Sequence, residues 1–313
     1  MTFKLIYTAD LHGNEEFYRR LLKKAEDEQC GAVVIGGDLC PKGGNSAEER
    51  VQNQREFIEK FMLPLLKKFK KKNKKTEICL IMGNDDFKAN LVILEDAEKN
   101  KILKSIHSKS IKLSKSLNIA GYSFVNPTPF RIKDWEKPDF DSDKGTGQLF
   151  NEEIRSAGKE NGTIKEDLEK LKKLSNPKNT IYVIHAPPYS TNLDLTNLRN
   201  HVGSKSLRNF IEKEQPFLTL HGHIHESPKM SGSWHDKIKN TVCINVGSSY
   251  PEDKLNCVVI DLENLNNIEY FELLKNSRYT PRLKGECNEV ARSKVFSGAR
   301  FNLANKVSFK ELR

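Results

Sequence analysis

Six short apolar runs punctuate this 313-residue chain: FKLIYT (residues 3 to 8), AVVIGG (32 to 37), EICLIM (77 to 82), TIYVIH (180 to 185), PFLTLH (216 to 221) and TVCINV (241 to 246). β-Branched runs of this length, alternating with longer helical stretches, read as the doubly buried strands of an α/β protein. Five of the runs end in a polar cluster: Asp10-Leu-His12, Gly37-Asp38, Gly83-Asn84-Asp85-Asp86, His185 and Gly222-His223-Ile-His225. In an open, mostly parallel sheet, ligands gather outside the carboxyl ends of the strands. Five strand ends therefore aim oxygen and nitrogen donors at one place.

The remaining chain fills in around that pattern. Glu15 to Gln29 carries apolar positions at helical spacing, and Ser46 to Lys70 reads as a longer helix opened by a Ser46/Glu49 capping box and kinked or ended at Pro64. Residues 102 to 125 read as further strands with a turn at SKSLN, and 254 to 274 as two strands around an Asn-rich turn. Helices are expected from Lys165 to Leu174 and before Pro216. Residues 126 to 162 are rich in Pro, Gly, Asp and Lys, which inside a domain suggests a lid or binding loop. The expected organisation is one domain over 1 to 275 with that insertion, then a basic extension from 276 to 313.

Composition narrows the function classes. An apolar content of 37% with only short apolar runs supports a core and argues against a membrane protein. The start, MTFKLIYTADLHG, shows no cleavage site and reads as a first strand, hence a cytoplasmic protein. Six scattered cysteines without a C-x-x-C pair suit reduced thiols. The net charge of +10 suggests an anionic partner, but much of it sits in KKFKKKNKK at 67 to 75, a helix end running into solvent without a nucleic-acid motif.

Taken singly, each polar cluster also fits an ordinary role in turns or caps. His223 and His225 are the most telling, because paired imidazoles suit zinc, iron or manganese. Their joint order, D-x-H, G-D, G-N-x-D, H and G-H-x-H over residues 10 to 225, resembles the calcineurin-like metallophosphoesterases, with INVGS at 244 to 248 similar to a segment that closes that family's core. The stretch from His201 to Ser227 further resembles the Icc-related phosphohydrolase branch. The resemblance implies two mixed β-sheets packed as a sandwich flanked by helices, with two divalent metal ions (Mn, Fe, Zn or Ni) at one edge. Asp10, His12, Asp38 and His225 would hold one ion; Asp38, Asn84, His185 and His223 would hold the other, with Asp38 bridging. A metal-bridging hydroxide would attack phosphorus, hydrolysing a phosphodiester or phosphomonoester, with cyclic nucleotides as natural candidates.

One position departs from the pattern. Many relatives carry His directly after the G-N pair, where this chain has Asp85. Asp85 is the candidate general acid; alternatively it anchors a ligand, His221 or His107 serves instead, or the substrates have good leaving groups. Asp86 is expected to orient a metal-binding His through its second nitrogen. Arg131, Lys133 and Trp135 are candidates to clamp a phosphate and stack a base if the insertion folds over the site. The expected partner is a small phosphorylated or nucleotide substrate, not a membrane. A nuclease and an inactive binding scaffold are the alternatives, and the scaffold is weakened by seven competent ligand residues.

Overall fold

Each apolar run read from the sequence pairs into a sheet. The structure, a computed structural model, describes residues 2–143 and 153–274 together with the backbone of 284–285. The strands are β1 (Lys4–Thr8), β2 (Ala32–Gly36), β3 (Glu77–Ile81), β4 (Lys104–Ser105), β5 (Ser110–Lys112), β6 (Asn118–Tyr122), β7 (Thr180–Ile184), β8 (Leu218–His221), β9 (His235–Ile238), β10 (Thr241–Asn245), β11 (Lys254–Asp261), β12 (Ile268–Leu274) and β13 (Lys284–Gly285). They form a seven-stranded sheet, β13-β12-β11-β1-β2-β3-β4, and a six-stranded sheet, β5-β6-β7-β8-β10-β9. Both are mixed: β1 pairs in parallel with β2 and antiparallel with β11, and β10 in parallel with β8 and antiparallel with β9. These are the two mixed sheets flanked by helices that the family resemblance implies.

Period-two alternation explains why the strands are apolar on both sides. Leu5, Tyr7, Val34 and Ile81 of the first sheet share a buried cluster with Ile119, Val183, Leu220 and Ile244 of the second, which is the sandwich interior. The residues in the opposite phase, Ile6, Val33 and Ile35, pack with Phe17, Tyr18 and Leu21 of helix α1 (Glu15–Asp27). On the other outer face, Tyr182 and Ile184 join residues of α5 (Ile164–Leu171) and α6 (Lys205–Glu214), numbered after α2 (Ala47–Phe57), α3 (Leu63–Lys72) and α4 (Leu91–Lys99).

Two local expectations change. The helix beginning at Ala47 passes through Pro64 because a π-helical turn, Ile58–Met62, precedes the proline. There the Leu63 N–H reaches back five residues to the Ile58 carbonyl, a register that accommodates a residue lacking its own N–H. The Ser46/Glu49 box is half made: Ser46 Oγ accepts from the Glu49 N–H, but the Glu49 carboxylate takes the Asn45 N–H. The reciprocal box is Thr163 with Glu166, at the start of α5.

The described parts of 126 to 162 are anchored to the domain at several points. Val125 bridges to Glu136 and Ile132 to Ile154. Trp135 is fully buried against His107 and Phe124, and the Asp139 carboxylate accepts from the Lys205 N–H at the start of α6. The basic extension from 276 to 313 lies outside the described residues apart from the β13 backbone. Among the described residues no helix is long and apolar enough to cross a membrane, and five cysteines, Cys30, Cys40, Cys79, Cys243 and Cys257, are buried free thiols.

Candidate metal centre

Three donor loops leave the first sheet and two leave the second, and they meet at one edge of the sandwich. β1, β2 and β3 deliver Asp10 and His12, Asp38, and Asn84; β7 and β8 deliver His185, and His223 and His225. The turns are tight. Asp10, His12, Asp38 and His223 have φ of 58°, 44°, 51° and 68°, the left-handed region. That conformation costs an L-residue roughly 1–2 kcal/mol, and such residues concentrate where surrounding structure enforces a site. Glycines beside them answer to close approach: a Cβ on Gly83 would lie 2.2 Å from Asp38 Oδ1, and one on Gly37, at φ 104°, would lie 2.5 Å from His185 Nδ1.

The donor atoms converge. Asp10, His12, Asp38 and His225 each present one ligand atom within 4.8 Å of the others. His12 Nε2 and His225 Nε2 are 3.0 Å apart, and Asp10 Oδ1 is 3.5 Å from His225 Nε2. In the adjoining set, Asn84 Oδ1 stands 2.6 Å from His223 Nδ1 and 3.1 Å from His185 Nε2, which is 3.4 Å from Asp38 Oδ1. Asp38 faces both groups, because its Oδ2 is 3.8 Å from His12 Nε2. All seven residues read from the sequence as ligands are therefore brought together.

Neighbouring bonds orient the donors. The His185 Nδ1–H donates to the Gly36 carbonyl at 2.8 Å, which turns Nε2 into the site. Asn84 Nδ2 donates to Asp85 Oδ1 at 3.0 Å, which leaves the amide oxygen for His185 and His223. Asn245 Nδ2, from the INVGS segment, donates to the Gly222 and Ile224 carbonyls at 3.2 and 3.1 Å and so holds the loop carrying His223. Burial lowers the pKa of His185, yet Asp38, Asp10 and the Gly36 carbonyl outweigh it and raise the pKa to about 9. His12 and His223 are pushed by burial down to about 3, as neutral donors.

The residues fit a divalent cation. Buried carboxylates at Asp10 and Asp38 create a field that favours positive charge, the donors are nitrogen and oxygen without thiolate, and His12 Nδ1 is buried without a hydrogen-bond partner. A cavity of about 510 Å³ opens onto this cluster; its lining includes Asp38, Asn84, His223 and His225 together with Lys42, Phe130 and Arg131.

Several residues take places other than those expected. Asp86 touches no histidine. Its oxygens accept from the backbone N–H groups of Leu39, Cys40 and Gly83 at 3.0, 2.9 and 2.8 Å, tying the Asp38 loop to the Asn84 loop. Burial and the Asp38 charge push its pKa up to about 7 against those bonds. His221 is fully buried, with Nδ1 at 3.0 and 2.9 Å from the carbonyls of Ile184 and Ala186 on either side of His185; burial lowers it to about 4, and it braces that strand end instead of supplying protons. His107, pushed down to about 3 by burial, packs against Trp135 away from the cluster. Trp135 is in the core and cannot stack a base. Lys133 is buried and its ammonium is held by Glu136, so of the three clamp candidates only Arg131 reaches the cavity wall.

Asp85 does reach the cavity, and with it comes a residue that the motifs missed. Lys42 Nζ lies 2.6 Å from Asp85 Oδ2. Four residues past Asp38, it lies outside the strand-end pattern, and only its proximity along the chain hinted at it.

A family model described as calcineurin-like phosphoesterase matches residues 3–227. An uncharacterized protein of Methanocaldococcus jannaschii, MJ1162, is 30% identical over 266 residues, 82% of this chain and 95% of its own length. TT1561 of Thermus thermophilus shares the fold with a TM-score of 0.56 at 16% identity, over 87% of this chain and 99% of that one. A dimetal phosphatase from Danio rerio does so with a TM-score of 0.56 at 10% identity, over 87% and 96%. At those identities the two solved structures bear on the fold alone.

Proposed function

Since the chain belongs to the calcineurin-like phosphoesterase family, we propose that it hydrolyses a phosphoric ester with two divalent cations. Asp10, His12, Asp38 and His225 would hold one cation and Asp38, Asn84, His185 and His223 the other. The observation that carries this reading is Asp38, whose two oxygens face separate donor sets at 3.8 and 3.4 Å. Such a pair supplies Lewis acidity to phosphoryl oxygens and an activated water at neutral pH. The donor chemistry admits Mn, Fe, Zn or Ni.

Protein groups supply the rest. Asp85 lies at the cavity wall, where burial and then Asp38 raise its carboxyl above the usual range while Lys42 opposes them. In its protonated form, released from its 2.6 Å ion pair with Lys42, the carboxyl can give a proton to the leaving ester oxygen, the role a histidine takes in many relatives. Lys42 and Arg131 place positive charge where the departing group develops negative charge.

Metal analysis paired with hydrolysis of aryl phosphate, aryl phosphodiester and cyclic nucleotides in Mn, Ni and Zn tests the reading. Two metal equivalents and chelator-sensitive turnover are expected; no metal and no turnover would favour a binding scaffold. Asp85→Asn tests the acid. Its protonated form is lost as pH rises through a raised pKa, so the wild type should show a basic limb in kcat/KM. The variant should lack that limb and lose about 100-fold on alkyl esters, less on aryl esters. A variant that keeps the limb unchanged would remove Asp85 from this role.

A further inference from the structure

A second cavity, of about 860 Å³, adjoins the first, and His225 and Glu226 line both. The two are adjacent arms that share a metal-ligand candidate. We propose that the two arms together take a phosphodiester bearing a nucleoside-sized group on each ester oxygen, one of them bound in the second arm against Tyr250 and Trp234. The inference rests on the phosphoesterase reading and specifies its substrate class.

Three observations point the same way. A monoester has one substituent and would leave an arm unused, whereas a diester carries substituents on both sides of phosphorus; each arm falls in the range of about 300–1,000 Å³ that holds a drug-sized group. Each arm also has an aromatic ring next to an imidazole of the site. Phe130, 52% exposed, lies 6.5 Å from the His223 ring in the first arm, and Tyr250 lies 5.1 Å from the His12 ring in the second. Farther along the second arm, Trp234 is braced by a stacked Tyr270 at 5.6 Å, which forms a flat wall suited to a base. Both arms carry mixed charge: Lys42, Arg50 and Arg131 line the first beside Asp38 and Asp85, the latter ion-paired to Lys42, and Glu252 and Glu272 line the second beside Lys229 and Lys254, the latter ion-paired to Glu272. A neutral base and sugar match the second arm, where Ser249 and Asn256 offer hydrogen bonds.

The sequence holds two tryptophans, and the other, Trp135, is fully buried, so Trp234 emission reports on the second arm directly. Rapid-mixing titration of metal-loaded protein with thymidylyl-3′,5′-thymidine, read before turnover, should give saturable quenching in the wild type and none in Trp234→Phe; no quenching in the wild type would overturn the proposal. In steady state the wild type should favour the dinucleotide over 4-nitrophenyl phosphate and over a 3′,5′-cyclic nucleotide. Trp234→Ala should lower the ratio of kcat/KM for dinucleotide to that for 4-nitrophenyl phosphate roughly tenfold, and Trp234→Phe should restore it to within about twofold. Quenching that survives in Trp234→Phe, an unchanged ratio in Trp234→Ala, or faster turnover of the cyclic nucleotide would overturn the proposal. Hydrolysis of 4-nitrophenyl phosphate without preference for the dinucleotide sinks this inference and leaves the phosphoesterase reading standing. No hydrolysis of any probe by metal-loaded protein removes both.

Discussion

Asp38→Asn is expected to lower kcat/KM by more than ~100-fold, because loss of a direct ligand should exceed the 10- to 100-fold effect of disturbing an outer-shell partner. Asp38 is nearly fully buried and serves both donor sets at once. An amide offers one neutral oxygen in place of two charged ones, so one set loses its carboxylate bridge and the site loses a negative charge. Asp38 Oδ1 also accepts the Asp85 N–H at 2.9 Å, so the substitution disturbs the Asp85 loop as well. The binding readout is separate from turnover. Metal at about 100 times its Kd stabilises a folded protein by ~2.7 kcal/mol, which raises the Tm of a domain this size by roughly 5 °C. Wild type should show that rise on metal addition and Asp38→Asn should not. Two tightly bound equivalents retained by the variant would contradict the bridging assignment.

The second large effect is expected at Asp86, and it is one of stability. Asp86→Ala strands three backbone N–H groups, those of Leu39, Cys40 and Gly83, and opens space in the core. A buried donor left unpaired costs about 1–3 kcal/mol, so a loss of roughly 3 to 6 kcal/mol and a Tm lower by about 5 to 10 °C are expected. Metal-free protein isolates the effect from ligand binding, with urea denaturation as the check. Because these bonds hold the loops of Asp38 and Asn84, metal affinity should also fall by about 10- to 100-fold. A Tm within about 2 °C of wild type, with affinity unchanged, would show that the loops stand without this clamp.

Asp86 also marks where a sequence stops being informative. A carboxylate two residues past Asn84 fits a histidine partner as well as it fits a backbone clamp, because both are hydrogen-bond donors. The choice depends on Leu39 and Cys40, 47 and 46 residues away, folding over the same spot. Trp135 and Lys133 misled for a related reason. A loop rich in Pro, Gly and charge looks solvent-exposed, but Trp135 pins this one into the core. Lys42 escaped notice because nothing in its spacing distinguishes it from other surface lysines, and its link to Asp85 is tertiary.

The five strand-end polar clusters, their order and their placement after buried strands were legible in the residues alone, because strand length, side-chain alternation and turn glycines are local properties of the chain; which seven side chains would serve as ligands followed from the family resemblance. The tertiary structure decided that three donor loops leave one sheet and two the other, and that they close on each other across the sandwich edge. Strand pairing and side-chain partnership over more than a hundred residues depend on which surfaces pack. The same holds for the second arm, whose wall combines His225, Tyr250 and Tyr270 from separate parts of the chain, and which no motif encodes.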